Sequence, residues 1–519
     1  MLALFPNSPW QLRLEGEPHE TIRRFARACL CCVDAEHHAS GTGMNQPTVD
    51  PAILRAVGDV GRPARALDDL PSLSHLPGED GWIAGLTNLW GWTRRGQAHL
   101  QAQARRYGPV HRFQLGPFKA VAVTDAALGG QILRNADGAW SAALGWLVQI
   151  GGISDGPMDA PVTLDFGPHR DIRRLLQPAF KADAVASYVE AANPHFASAT
   201  DRWLADGKVK FKPEARRMFA RVSADVFLGI NDAGEATKLD KAMTDFWRGP
   251  MALIKNEWLS PGWRAARRQY RALVEHFGEQ VKARRSSDGT DLFTRLCQTN
   301  EKVDWLDDEG LVRVLVGVMT AAFDTTSAAV TSMAYMLATH PEWQDRLRAE
   351  ANELGTETVT YDQIKNLEQL DWVWKETLRY YPVAPSVGRI ALRDVNVGGY
   401  DIPAGGFISV WLSIAFRDPA SWAEPDRFDP ERFSTSRSED KHNKGAFLPF
   451  GAGHHACIGS QLSALEAKAF WYQFLRKARI RLAQPYEAQH EYRPIGMVSG
   501  DVSLVVEPLW AARQNLAKG

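Results

Sequence analysis

The segment DDEGLVRVLVGVMTAAFDTTSAAVTSMAYMLATHPEW, at residues 307–343, constrains the fold of this chain more than any other. Acidic residues precede its apolar part and His340–Pro341 ends it, which are the start and stop signals of a helix. At ~1.5 Å per residue such a helix measures roughly 45 Å, long enough to cross a whole domain. Because the segment is apolar on nearly all sides, we expect a helix buried in the interior of a large domain.

The centre of this segment has an unusual composition for a core helix. Asp324, Thr325, Thr326 and Ser327 are poor helix formers whose side chains compete for backbone hydrogen bonds. A buried carboxylate costs several kcal/mol unless it is satisfied. Two interpretations stay open: a local kink with hydroxyls bonded to the preceding turn, or a proton-handling acid–alcohol pair that faces a cavity.

Helical patterns dominate the rest of the chain. They run from 168 to 380, give way to short strands and Gly-rich turns beyond 385, and return at 459–478. We therefore predict a mainly α fold with a small β portion. An earlier antiparallel pair, VHRFQLG and KAVAVTD, is predicted to be joined by a Gly-Pro turn.

The N-terminal part of the chain differs from the remainder. Residues 1–60 show no sustained period, so we predict an N-terminal extension there and a single catalytic domain over 61–519. Met44 begins a segment that leads more naturally into the domain, and residues 1–43 are hypothesised to be dispensable.

Composition excludes several classes of protein. A formal net charge of −1 gives no reason to expect a nucleic acid partner. Five cysteines are too few and too scattered for a disulfide framework, and indicate a reducing compartment. No apolar run is expected to reach the roughly 18–20 residues of a membrane span, and the N-terminus is too polar for a signal peptide. We expect a cytoplasmic protein with no membrane span.

One cysteine lies in a loop of glycines and histidines, FLPFGAGHHACIGSQL at 447–462. A packed free thiol is a frequent fate of cysteine, but the glycines around Cys457 offer little to pack against. His454 and His455 suggest zinc, although adjacent histidines do not have the usual ligand spacing and no second cysteine is near. A hydrolase nucleophile would need an oriented base, which the sequence does not place.

Charged residues at helical spacing form two further candidates. Glu376 and Arg379 share one helical face; most such pairs are solvated surface contacts, but the aromatic neighbours here favour partial burial. His169 and Arg173 are four apart, and Arg389 follows a proline-containing loop. These cations could serve an anionic ligand, and each alone could equally be structural.

These motifs occur in a specific order. H-x-x-x-R is followed by A-A-x-D-T-T, E-x-x-R, P-E-R-F and F-G-x-G-x-x-x-C-x-G. The chain therefore resembles the cytochrome P450 family of thiolate-haem monooxygenases, over about residues 70–510. The resemblance implies the P450 fold, in which a long central helix crosses the haem between an α-rich and a β-rich subdomain. It also implies haem b (iron protoporphyrin IX) as the cofactor.

The resemblance assigns a role to each motif. Cys457 would be the proximal iron ligand, and Asp324 and Thr325 would deliver protons during oxygen activation. The haem-binding loop also includes Phe450, Gly453 and Gly459. The residues expected at the haem propionates are His169, Arg173, Arg389 and His455. The residues expected in a buried ion-pair network are Glu376, Arg379 and Arg432.

Physical chemistry supports this assignment of the loop. A thiolate ligand pushes electron density toward haem iron and favours cleavage of the O–O bond. The helix that begins after Cys457 would stabilise the negative charge of the sulfur with its positive end. Glycines at 451, 453 and 459 would let the loop turn tightly and direct N–H groups at the sulfur.

Partners and alternatives follow from the resemblance. Only about 60 residues follow the loop, too few for a flavin or iron–sulfur domain, so we expect external electron donors such as ferredoxin and ferredoxin reductase. Dioxygen and a hydrophobic small molecule would be substrates of a monomer. Two alternatives stay open: a peroxide-driven peroxygenase, which the Asp324–Thr325 pair disfavours, and a non-catalytic thiolate-haem sensor.

The segment 139–163 lies where the family has its variable substrate-covering loop, and it is apolar. At Ala322 the family usually has glycine, so the alanine methyl would narrow the oxygen-binding groove. The residues expected to border the substrate pocket are Trp140, Leu144, Trp146, Leu147, Ala321, Ala322, Phe323, Val383, Val387, Ile495 and Met497.

Overall fold

The computed structural model describes residues 73–509, apart from 80, 116–117, 151–152, 155–157, 251, 253–255, 300–302 and 493–494. The predicted extension at 1–60, with the dispensable segment 1–43, and the Gly-Pro turn at 116–117 lie outside these described residues.

Helices dominate the described part of the chain, as expected. Those before the long apolar segment are α1 (Trp82–Arg95), α2 (Gln97–Tyr107), α3 (Ala126–Arg134), α4 (Ala142–Ile150), α5 (Phe166–Leu176), α6 (Ala182–Asp206), α7 (Phe211–Leu228), α8 (Ala233–Trp247), α9 (Pro261–Gly278), α10 (Val281–Arg285) and α11 (Leu292–Gln298). Those from the long segment onward are α12 (Asp308–Thr339), α13 (Pro341–Leu354), α14 (Tyr361–Lys365), α15 (Glu368–Tyr380), α16 (Leu412–Ala415) and α17 (Ser460–Lys477).

Twelve short strands form the β portion of the described chain. They are β1 (Val110–Leu115), β2 (Phe118–Val123), β3 (Trp140–Ser141), β4 (Lys208–Lys210), β5 (Val387–Ala391), β6 (Val395–Val397), β7 (Tyr400–Ile402), β8 (Phe407–Val410), β9 (Ala478–Leu482), β10 (His490–Tyr492), β11 (Gly496–Val498) and β12 (Ser503–Pro508). The largest sheet has the order β1-β2-β8-β5-β3, with β2 and β8 parallel and its other neighbours antiparallel. Smaller sheets are β4-β12-β9, β6-β7 and β10-β11.

The long helix α12 confirms the prediction made from its sequence. The Asp307 carboxylate caps its N-terminus by accepting a hydrogen bond from Gly310 N at 2.7 Å. It continues for 32 residues to the His340–Pro341 stop. Its apolar surface packs against α7, α9 and α15 in the main core.

The helix α12 is also long and apolar enough to meet the criterion for a membrane span. This corrects the expectation that no apolar run reaches that length. Among the described residues it is the one helix long and apolar enough to cross a membrane, with a mean hydropathy of 1.4 over its most apolar window. Within the protein, 78% of that window is buried, which is typical of the core helix of a large domain.

Candidate active site

The glycine-containing loop closes on itself before α17 begins. Cys457 N donates to Phe450 O at 2.9 Å. Gly451 and Gly453 have φ values of 72° and 69°, in the left-handed region that favours glycine. A Cβ on Gly453 would lie 2.5 Å from the carbonyl oxygen of Arg134, at the end of α3, so any side chain would separate the loop from this helix.

Gly459 has a different role from the two earlier glycines. Its φ is −86°, and a Cβ there would make an ordinary 3.9 Å contact with Cys457 Sγ. The expectation that Gly459 is needed for a tight turn is therefore wrong. Its backbone N–H instead acts to lower the pKa of the Cys457 thiol, as does that of Ser460 at the start of α17.

Opposing effects act on the Cys457 thiol. Burial is the largest and raises its pKa, while the Gly459 N–H, the Arg173 charge and the Ser460 N–H act in the opposite direction. The residue nevertheless keeps an exposed face. A sulfur in this position, surrounded by donors but open on one side, suits a metal ion, which would deprotonate the thiol on binding.

Cationic and imidazole side chains gather beside this loop. Arg173 Nη1 donates to Ala456 O at 3.0 Å, which attaches α5 to the loop. The rings of His169 and His455 are in contact, with centroids 4.0 Å apart and planes tilted by 32°. Burial, helped by the charges of nearby histidines and Arg173, lowers the pKa of His169 to about 3, so this ring is neutral at physiological pH. Arg389, on β5, is buried, and burial lowers its pKa to about 10.

Asp165 belongs to this cluster and was not expected from the sequence. His455 Nε2 lies 2.9 Å from the buried carboxylate of Asp165, whose charge also acts on Arg389. The sequence does place the Asp165 carboxylate four residues before His169. That Asp165 also meets His455 is visible only in the folded structure. His455 was expected to reach a propionate, which stays a prediction; the structure adds that one of its two ring nitrogens lies within ion-pair distance of Asp165.

Several side chains in the middle of α12 are at least partly exposed, although most of this helix is buried. Ala321 is exposed, and Ala322, Asp324 and Thr325 are partly so. Thr325 Oγ1 donates to Ala321 O at 3.0 Å, one turn earlier. The hydroxyl is therefore bonded to the preceding turn, as the first interpretation expects, but the helix continues without a break, and the proton-handling role stays a prediction. Phe323 is 0% exposed and lies on the opposite face, so the prediction that it borders the pocket is wrong.

Asp324 has partners that the sequence did not reveal. Arg216 Nε, on α7, donates to Asp324 Oδ1 at 2.7 Å. The same guanidinium forms a 2.9 Å ion pair with Asp240 on α8. Burial raises the pKa of Asp240, and the Arg216 charge opposes this effect. Arg216 on α7 therefore links Asp324 on α12 to Asp240 on α8 by two ion pairs.

The Glu376 network is fully buried, which decides against a solvated surface pair. Glu376 accepts from Arg379 Nε at 2.7 Å, Arg379 Nη2 at 2.9 Å, Arg432 Nε at 3.1 Å and Asp429 N at 2.8 Å. The side chains of Glu376 and Arg379 are 0% exposed, and that of Arg432 is 1% exposed. Glu439, which sequence reasoning missed, accepts from Arg432 Nη1 at 2.8 Å.

The remaining predicted pocket residues divide into two groups. Trp140 and Leu144 are 3% and 1% exposed: Trp140 packs in the core beneath the largest sheet, and Leu144 packs against Ile390 and Phe407. These two predictions are corrected, because β3 and the first turn of α4 point them into the protein. The Leu147 side chain lies outside the described part. The residues that stay partly exposed are Trp146, Val383, Val387, Ile495 and Met497.

Together these features fit haem better than an ion bound by protein ligands alone. Within the described residues no group of three or more His, Cys, Asp or Glu side chains could hold a metal ion, so a single sulfur suits an ion that brings its own ligands. Arg173 and Arg389 would bind the two carboxylates of such a cofactor, and the Cys457 sulfur would bind its iron. The fold and this site therefore define a thiolate-haem protein.

Comparison with known proteins gives the same answer. The family model described as Cytochrome P450 matches residues 77–501, and the chain belongs to this family. A Mycobacterium tuberculosis protein, cytochrome P450 136, is 32% identical over 352 residues, 66% of this chain and 72% of the relative. Family membership makes the protein a cytochrome P450 monooxygenase.

Two further similarities support the family and the fold. Cyclooctat-9-en-7-ol 5-monooxygenase of Streptomyces melanosporofaciens is 28% identical over 79% of this chain and 92% of its own length. A structure described as retinoic acid bound cyanobacterial CYP120A1 matches with a TM-score of 0.74 at 22% identity, over 84% of this chain and 99% of that one. At this identity the structure supports the P450 fold alone.

Proposed function

We propose that this monooxygenase inserts one oxygen atom from O₂ into a cyclic diterpenoid, with electrons from ferredoxin and ferredoxin reductase. The observation that carries the reaction class is the half-open Cys457 sulfur beside the Arg173–Arg389 cations. When bound at Cys457, haem b supplies the oxygen-activating chemistry, to which the thiolate contributes electron density. The small number of cysteines favours a cytoplasmic location. The protein is proposed to act as a monomer.

The chain's own residues divide the remaining work. Gly459 and Ser460 direct N–H groups at the sulfur, and thereby stabilise its negative charge. Arg379 and Arg432, held by Glu376, brace the segment that leads into the loop.

Proton delivery is the task of α12. Thr325 donates its only hydroxyl proton to Ala321 O, so in this arrangement its oxygen can accept a hydrogen bond from the cavity. Asp324 is engaged by Arg216. For a proton to pass from solvent to the cavity, the Asp324 carboxylate has to exchange Arg216 for water or for Thr325.

The substrate class rests on the relatives and on the pocket. Cyclooctat-9-en-7-ol 5-monooxygenase and the Hordeum vulgare ent-kaurenoic acid oxidase 1, which is 26% identical over 79% of this chain, are both named after cyclic diterpenoids. Trp146, Val387, Ile495 and Met497 are apolar and partly exposed, as a bulky hydrocarbon ring system requires.

Ligand-induced spectra test this substrate class. Cyclic diterpenes should shift the Soret band of the ferric protein at lower concentrations than fatty acids of matched carbon number or sterols. A response to fatty acids or sterols alone would contradict the diterpenoid proposal and leave the haem assignment intact.

The haem assignment has its own test. The reduced, CO-bound protein should show the strongly red-shifted Soret band of a thiolate haem, and Cys457→Ser should abolish it. A wild-type protein without this band contradicts the assignment.

Turnover separates the proposal from its two alternatives. Product formation with reductant, ferredoxin and ferredoxin reductase, but not with peroxide, supports the monooxygenase. Efficient turnover with peroxide favours a peroxygenase, and spectral binding without turnover under either condition favours a sensor.

A further inference from the structure

Asp165 lies where three parts of the site meet. Its carboxylate is 2% exposed and accepts hydrogen bonds from Ser141 Oγ at 2.5 Å, Ala142 N at 3.1 Å and Ala143 N at 3.2 Å. These donors are the last residue of β3 and the first turn of α4, so Asp165 caps α4 from a distant part of the chain. The fourth partner is His455 Nε2, two residues before Cys457 and 2.9 Å from Asp165 Oδ1.

Strained backbone directs this carboxylate. Phe166, directly after Asp165, has a φ of 50°, which is uncommon for a residue with a bulky side chain. Its ring packs against the small core that contains Leu144 and Phe407, which compensates for the strain. The adjoining elements are close together as well, because a Cβ on Gly145 would lie 2.6 Å from Gly388 O on β5.

The carboxylate determines how His455 can act. A carboxylate accepts hydrogen bonds only, so Nε2 of His455 carries a hydrogen and Nδ1 is the ring nitrogen left for another partner. The His169 ring, tilted by 32° with its centroid 4.0 Å away, restrains the same ring from another side. Two contacts thus fix an imidazole beside the cations expected to bind the haem carboxylates.

An acid in this position also has an unfavourable effect. The negative charge of Asp165 would repel the carboxylates of a haem bound next to Arg389, whose own charge is already influenced by Asp165. Its orienting effect on His455 and its repulsion of an anion therefore act in opposite directions on haem affinity.

We propose that Asp165 is a positioning residue for haem: it holds the His455 ring by Nε2, which leaves Nδ1 available to a haem carboxylate, and it joins this ring to the first turn of α4. The inference rests on haem binding as given under the proposed function. It goes beyond that function because it assigns a role to a carboxylate that does not itself contact the cofactor, and it links α4, in the substrate-covering segment, to the haem edge.

A double-mutant cycle on the holoprotein tests the proposal. Haem loss is measured as the rate of transfer to excess apomyoglobin for the wild type, Asp165→Asn, His455→Gln and the double variant. In the wild-type background, Asp165→Asn should speed haem loss by about tenfold, the ratio that corresponds to one hydrogen bond to a charged group. In the His455→Gln background the same change should speed it much less, because the ring that Asp165 positions is absent.

A matched control isolates the capping role. Ser141→Ala removes a donor to Asp165 and an acceptor for Leu144 N, and it leaves the Asp165–His455 contact in place. It should lower the unfolding midpoint while changing the haem-loss rate less than about twofold.

The outcomes are distinct. Equal acceleration by Asp165→Asn in both backgrounds, or no acceleration in the wild type, overturns the positioning role. If Asp165→Asn does not fold, Asp165→Glu takes its place in the cycle, since it retains the charge and displaces it. Absence of a thiolate-haem spectrum in the wild type refutes the proposed function itself, whereas equal acceleration with an intact spectrum refutes only the role of Asp165.

Discussion

Replacing Glu376 with glutamine should destabilise the protein far more than the same change at a surface pair. Glu376 is fully buried and accepts four hydrogen bonds, three of them from the guanidinium groups of Arg379 and Arg432. Glutamine keeps the volume but removes the negative charge and turns N–H donors toward other donors. Two buried cations then retain backbone carbonyls and Glu439 as their partners.

The expected cost follows from the burial of these charges. Removing one partner of a buried ion pair typically costs about 3–5 kcal/mol, because the other charge stays buried without compensation. A domain is stable by only about 5–15 kcal/mol, so Glu376→Gln should remove roughly a fifth of the total at the least. The control is Glu424→Gln, because Glu424 and Arg427 have the same spacing and pair at 3.0 Å, but their side chains are 72% and 63% exposed. There we expect a loss of less than about 1 kcal/mol.

Urea unfolding of the two holoproteins measures the difference. Far-ultraviolet circular dichroism and the Soret band are followed together, and the midpoints are compared where both probes coincide. Glu376→Gln should have a much lower midpoint and lose haem, while Glu424→Gln should resemble the wild type. A difference of less than about 1 kcal/mol between the variants would refute the argument that this buried network holds the fold together.

Three further predictions concern the core, the proton path and the loop. Burial raises the pKa of Glu466 to about 8, from 4.5, so the native state holds a proton that the unfolded state releases. Stability should therefore fall as pH rises between these values, and Glu466→Gln should flatten this slope in urea midpoints measured at several pH values. Thr325→Ala should retain the CO spectrum but release more peroxide per reductant consumed than Thr326→Ala, and equal peroxide yields would count against a role for the Thr325 hydroxyl. Gly453→Ala combines a positive φ with a backbone clash, so it should lose haem incorporation, which Gly459→Ala should preserve; equal haem content would contradict the loop geometry.

Features encoded by neighbouring residues could be predicted from the sequence. The long helix was confirmed because its apolar pattern and its stop at His340–Pro341 are local. The order of the motifs indicated the family, and the family match over 77–501 confirms it. The mainly α architecture followed from helical periodicity in the same way.

Features that depend on distant partners could not be predicted. The burial of Glu376 is decided by the segment around 416–439, whose carbonyls and Glu439 surround the two arginines. Arg216 meets Asp324 from 108 residues away, and no spacing rule connects them. Asp165 reaches His455 only after the chain has folded around α4.

Pocket residues fail for a related reason, since sequence proximity to a functional residue does not fix the direction of a side chain. Phe323 immediately precedes Asp324, yet about 100° of rotation per residue directs it into the core. Trp140 and Leu144 lie in the expected covering segment, but β3 is a strand of the largest sheet and its neighbours enclose them.

The same geometry changes the expectation for Ala322. Its methyl group was expected to narrow the oxygen-binding groove where the family usually has glycine. Ala322 is instead partly buried against the main core, whereas Ala321, one residue earlier, is exposed. The helix continues unbroken through both residues, with the Thr325 hydroxyl bonded to Ala321 O. The space on this face therefore depends on the small side chains of Ala321 and Ala322 and on the inward bond of Thr325, while alanine at 322 favours the helix more than glycine would.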